Sequence, residues 1–191
     1  MDKKSTPNVA SAAKKRKKIS ARYLENAGAY YLERFSASIV QFRKIMERKI
    51  DLSCRDHPEQ EKDKLMPLLD DLVRKFETLG YLDDRRYTKS LISGLTQKGV
   101  SVTRMKLILR QKGASPEMID ELMPERTEDD EQLAALRWAK KKRLGPFSTR
   151  HRENETQKSM ASLARAGFDY SISSWVINLS HEEADDILST Y

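Results

Sequence analysis

Residues 80–123 read GYLDDRRYTKSLISGLTQKGVSVTRMKLILRQKGASPEMIDELM, and they spell out one three-helix unit. Gly80 closes one helix and Asp83 caps the next. Tyr87, Leu91 and Leu95 recur at i, i+4 and i+8, one face of a helix that Gly99 ends. Ser101 caps a second helix with Val102, Met105, Ile108 and Leu109 on its inner face. Gly113 stops that helix, and Ser115–Pro116 starts a third.

A looser copy follows about 54 residues later. Setting Gly113 on Gly167 places Leu109 on Leu163, Met118 on Ile172, Leu122 on Val176 and Met123 on Ile177. The spacing predicts that Thr127 opens the copy, that Gly145–Pro146 stops its first helix, and that helices over 153–165 and 169–178 follow. Ser180 and Glu183 form a capping box for a short last helix. Upstream, helices are expected over 21–35, 38–49 and 64–79, with a polar insertion over 53–63. The resulting division is a disordered basic tail (1–20), a first three-helix repeat with its insertion (21–80), a second (81–125), a third (126–179) and a C-terminal helix (180–191). Each copy is too short to bury a core alone, so stacked copies present a long face to a partner. The expected class is all-α, built of tandem three-helix bundle repeats, and a protein that docks along something extended.

Composition agrees. The chain has 191 residues, of which 38% are hydrophobic and 34% charged, with a mean hydropathy of −0.72. Seven Gly and six Pro leave little material for a turn-rich β fold. No apolar run approaches the ~20 residues that span a membrane. The lone Cys54 points to a reducing compartment, a cytoplasm. His57, His151 and His181 lack metal-ligand spacing, and no Gly-rich phosphate cradle or nucleophile motif is present. No cofactor or catalytic residue is expected.

The net charge of +7 is concentrated in residues 1–22, and the rest of the chain is neutral in sum. Such a tail is either a solubilising arm or a source of non-specific phosphate attraction. The neutral body is itself polarised. No acid occurs from Arg85 to Pro116, a window that holds Arg85, Arg86, Lys89, Lys98, Arg104, Lys106, Arg110 and Lys112. None occurs from Gln132 to Arg152, which holds Arg137, Lys140, Lys141, Lys142, Arg143, Arg150 and Arg152. Between them lies an acidic block from Glu117 to Glu131, relieved only by Arg126. Segregation of this kind favours a negatively charged partner, nucleic acid or an acidic protein groove.

Candidate contacts follow from helical spacing. Lys106 and Arg110 form an i, i+4 pair beside Leu107, which points away from the inner face; Arg85 and Lys89 form another. Leu107 suits either a contact with the next repeat or an apolar anchor for the partner. The partner-binding set is Arg85, Lys89, Lys98, Arg104, Lys106, Arg110, Lys112, Arg137, Lys140, Lys141, Arg143 and Arg165. Asp83 and Asp84 resemble an acid–base pair, but helix capping explains them better. Trp138 and Trp175 suit core packing better than base stacking.

The segment Gly80-Tyr-Leu-Asp-Asp-Arg-Arg-Tyr87, with Lys98-Gly99, Arg104-Met105, Leu109 and Lys112-Gly113 after it, resembles the RecX family. Tyr87 stands where phenylalanine is usual, and Ile108 where glutamate is common. The resemblance implies tandem three-helix repeats in a curved, elongated body that docks in the groove of the RecA recombinase filament on DNA. It implies a non-enzymatic modulator, mainly an inhibitor, of ATP hydrolysis, strand exchange and filament growth. A monomer is expected, with weak direct DNA binding through the basic face and the amino-terminal tail. The alternative reading is a helical module that binds nucleic acid directly.

Overall fold

The computed structural model describes residues 15–149 and 154–190, and every regular element among them is helical. The elements are α1 (Ala21–Arg34), α2 (Ile39–Asp56), α3 (Lys62–Thr78), α4 (Asp84–Gln97), α5 (Val102–Gln111), α6 (Pro116–Leu122), α7 (Glu128–Lys142), α8 (Glu155–Arg165), α9 (Tyr170–Asn178) and α10 (His181–Thr190). The chain divides into two compact units. One comprises Met1–Phe35 with Phe42–Tyr81, the other Ser36–Gln41 with Leu82–Tyr191.

The local start signals operate as the residue types dictate. Asp83, Ser101, Ser115 and Asp169 each accept the N–H three residues on, at the starts of α4, α5, α6 and α9. Thr127 and Asp130 form a capping box at α7, and Ser180 and Glu183 exchange the same pair of bonds before α10. α7 ends on Arg143 in the left-handed region (φ 55°), and Gly145–Phe147 forms a 3-10 turn just beyond it. The helix expected from residue 153 begins at Glu155; residue 153 lies outside the described residues.

In the first unit, Leu24, Phe42, Met46, Ile50, Leu69 and Phe76 are fully or almost fully buried. Gly28 lets α1 approach: a Cβ there would lie 2.8 Å from the Phe42 ring. The expected polar insertion over 53–63 shrinks to a short turn. α2 runs on to Asp56 because Phe42, Met46, Ile50 and Ser53 continue one buried stripe at i+4, i+4 and i+3.

That turn has a use. Residues 15–20, expected to be disordered, lie extended against it. Gln60 accepts the Ile19 N–H (3.0 Å) and donates to the Ile19 carbonyl (2.9 Å). Ser53 donates to the Lys17 carbonyl, His57 Nε2 lies 2.7 Å from the Arg16 carbonyl, and Arg16 pairs with Asp56 at 3.0 Å. Residues 1–14 of the expected tail lie outside the described residues.

The second unit holds two three-helix groups, each with its own core. Ile92, Leu95, Met105, Leu109 and Ile119 are buried among α4–α6. Leu136, Leu163, Phe168, Ile172 and Val176 are buried among α7–α9, and Ala184 of α10 joins them. Trp138 and Trp175 pack, half-buried, on this second core.

One junction occurs twice in this unit. Ser38, the cap of α2, donates its hydroxyl to the Lys112 carbonyl at the end of α5, just before Gly113. Ser101, the cap of α5, donates its hydroxyl to the Ala166 carbonyl (2.7 Å) at the end of α8, just before Gly167. Each glycine has positive φ, and its open side faces the serine that makes the bond. A carboxylate from the next group completes each junction. Asp84 accepts the first amide of α2, from Ile39 (2.7 Å), and Glu131 accepts the first amide of α5, from Val102 (3.2 Å). A buried helix start is satisfied both by its own serine and by the following repeat.

Burial pushes the carboxyls of Asp84 and Glu131 above the ordinary range, in spite of the lowering hydrogen bonds. A carboxyl raised in the fold holds its proton more tightly there than in the unfolded chain. Its contribution is therefore greatest below the unfolded pKa, about 4, and declines as pH rises through the folded value. Asp84→Asn keeps an oxygen acceptor for Ile39 and removes the titration. Urea melts at a series of pH values should show wild type losing stability relative to this variant as pH rises from about 4, then a constant difference. Parallel curves throughout would contradict the assignment.

Candidate functional site

Helix α5 exposes one face, and its cations converge there with the end of α8. Arg104, Lys106, Leu107 and Arg110 line a groove of about 520 Å³ with Arg165 and Gly167 across from them. The close approach is set by the serine junction: a Cβ on Gly167 would lie 2.6 Å from the Ser101 hydroxyl and 3.2 Å from the Arg104 nitrogen. Met105 and Leu109 are fully buried and Ile108 packs beside them on the core, which leaves Leu107 on the outer side, 46% exposed. The next repeat borders Leu107 without covering it.

The cations differ in what they already hold. Lys106 Nζ lies 3.7 Å from Asp120, a long and exposed contact. Arg104, Arg110 and Arg165 have no acidic partner within 4 Å among the described residues. Three guanidinium groups around an exposed leucine make this the strongest candidate surface. Each offers a planar fork suited to carboxylate or phosphate.

The remaining predicted contacts fall elsewhere. Arg85 makes a two-pronged pair with Glu121 on α6, both bonds 2.6 Å. That bond holds the Glu121 carboxyl below its usual range, and Lys89 adds a second positive charge nearby. Lys98 is exposed at the end of α4, and Lys112 is half-buried at the end of α5 with its carbonyl engaged by Ser38. Arg137, Lys140 and Lys141 line a second groove with Leu188, of about 420 Å³. Within it Lys140 pairs with Asp185 (2.8 Å), whose carboxyl this hydrogen bond lowers. Arg143 is exposed at the left-handed end of α7. The two acid-free windows are thus acid-free along the chain and only partly so in space.

Arg126 was legible as the one cation in the acidic block, but not its role. It is almost buried (8% side-chain exposure), donates to the Val100 carbonyl (3.1 Å) and pairs with Glu131 (2.8 Å). It neutralises the carboxylate that caps α5 and so supports the helix that carries the groove. Asp83 and Asp84 cap α4 and α2. Among the described residues, no three His, Cys, Asp or Glu side chains are grouped to hold a metal ion, and no helix is long and apolar enough to cross a membrane.

Repeated serine junctions between three-helix groups, and a groove where cations surround an exposed leucine, define an all-α protein. Known proteins place it more closely. It is 35% identical over 168 residues to the regulatory protein RecX of Myxococcus xanthus, covering 86% of this chain and 89% of that one. It is 32% identical over 92 residues to the regulatory protein RecX of Trichlorobacter lovleyi, covering 47% of this chain and 59% of that one. The crystal structure of RecX from Lactobacillus salivarius superposes with a TM-score of 0.57 at 20% identity, covering 86% of this chain and 96% of that one, and shares the fold. No family model matches the sequence. The chain belongs to the RecX family of regulatory proteins.

Proposed function

We propose that this protein regulates a RecA recombinase filament on DNA, in the cytoplasm, as part of the control of recombination and DNA repair. It acts as a monomer and without chemistry of its own. It binds in the filament groove and mainly inhibits, altering ATP hydrolysis, strand exchange and filament growth. The observation that carries this reading is the α5–α8 groove, where Arg104, Arg110 and Arg165 surround Leu107 with no acidic partner among the described residues. The family to which the chain belongs supports it. The second groove, with Arg137, Lys140 and Lys141, supplies further weak contacts. Contacts at fixed spacing add through effective concentration. A regulator that touches neighbouring protomers shifts the filament between states by binding one of them better. The exposed cations orient and speed docking and give weak binding to DNA alone.

The test is charge reversal. Lys106→Glu with Arg110→Glu should weaken inhibition of recombinase ATP hydrolysis at least tenfold, on the order of 1.4 kcal/mol or more, with helical content unchanged by circular dichroism. Inhibition equal to wild type would remove this face from the site. Binding to DNA without recombinase that matches binding to the filament, and falls steeply with salt, would favour the direct nucleic-acid module instead.

A further inference from the structure

We infer that the α5–α8 groove receives an acidic polypeptide segment that carries an apolar side chain between its carboxylates, rather than the phosphate backbone of a nucleic acid. The inference rests on the regulatory reading above and narrows what this surface grips. Arg104, Leu107 and Arg110 follow one another at i, i+3 and i+6, so cation, leucine and cation form an oblique row across the open face of α5. Arg165, at the end of α8, closes the other side.

The guanidinium forks alone do not choose between carboxylate and phosphate. Leu107 does. A phosphodiester chain offers only the C–H edges of its sugars to cover a leucine, and single strands held by their bases rest on aromatic side chains. The groove has no aromatic lining residue among the described residues. An acidic segment with one apolar side chain satisfies both features: its carboxylates meet the arginines and its apolar group covers Leu107. A central apolar anchor inside a charged rim is also the arrangement that concentrates affinity in protein–protein contacts. The surface already carries a carboxylate of its own, Asp120, 3.7 Å from Lys106 and well exposed, which an incoming acid can replace. A cavity of about 520 Å³ accepts a few side chains of a peptide.

The experiment uses the full chain with two probes, a RecA filament assembled on oligo(dT) and the same oligo(dT) alone, across a salt series. Leu107→Ala should weaken filament binding about tenfold and change oligo(dT) binding less than twofold. Leu107→Asn, which keeps the side-chain size, should lose as much. Replacing Arg104, Arg110 and Arg165 together by Gln should weaken filament binding and flatten its salt dependence. Filament binding by both Leu107 variants equal to wild type would overturn the inference and leave the regulatory reading standing. An equal loss of filament and oligo(dT) binding in the glutamine variant would assign the groove to phosphate and also overturn it. Wild type that binds no filament would overturn both.

Discussion

Arg126→Met should destabilise the protein by about 3–5 kcal/mol, the usual cost of removing one partner from a buried ion pair. The Glu131 carboxylate, 17% exposed, would keep only the Val102 amide. The Val100 carbonyl would lose its guanidinium donor as well. Adding Glu131→Gln to this variant should recover much of the loss, because the remaining amide can still accept from Val102 without a buried charge. The effect carries a pH signature. The Glu131 carboxyl is raised by burial even beside Arg126, and without Arg126 it should rise further. The penalty of Arg126→Met should therefore shrink as pH falls through the raised range of this carboxyl, where it takes up a proton, and grow as pH rises. Urea denaturation of both variants at several pH values checks this. A single variant within about 0.5 kcal/mol of wild type would show that the pair is not a structural element.

Gly99→Ala should cost about 2–5 kcal/mol. Gly99 has φ +66°, where a Cβ is penalised by about 1–2 kcal/mol. That Cβ would also lie 2.7 Å from the Ala134 carbonyl oxygen and 2.9 Å from Arg137 Cβ, so α4 and α7 would have to separate. Overpacking of this kind adds about 1–3 kcal/mol. Gly80 supplies the control. Its φ is +71°, but a Cβ there meets nothing within 4 Å. Gly80→Ala should show the backbone cost alone, and the difference between the two melts isolates the close approach of α7. Equal costs would contradict the described contact.

What the sequence made legible was local. A cap bonds the amide three residues on, so Asp83, Ser101, Ser115, Thr127 and Asp169 announced their own helices. The buried pair Met105 and Leu109 of α5 was readable for the same reason, as was the matching of Leu109 to Leu163; on α4 the core face is Thr88, Ile92 and Leu95, while Tyr87 and Leu91, expected beside Leu95, are only half-buried. The missed features join residues far apart. Asp84 sits beside the cap Asp83, yet it serves a helix 45 residues upstream. Ser101 bonds a carbonyl 65 residues away. Arg85 and Lys140 stand in acid-free windows, but Glu121 and Asp185 reach them from 36 and 45 residues downstream. Charge patterning along the chain therefore overstated which cations are available. It named Arg104 and Arg110 together with Arg85 and Lys140, and only the fold separated the first two, and Arg165 of the partner-binding set, from the paired ones. The polar turn after α2 carried no local signal for holding Ile19, because Gln60 does so by its backbone-like pair of bonds.

The most direct measurement is recombinase ATP hydrolysis on single-stranded DNA, with filament length followed in parallel, as this protein is added up to stoichiometric ratio. Hydrolysis should fall and filaments should stop extending at concentrations where the protein alone barely binds the DNA. Hydrolysis and filament length that both stay unchanged at stoichiometric ratio would contradict regulation of the filament.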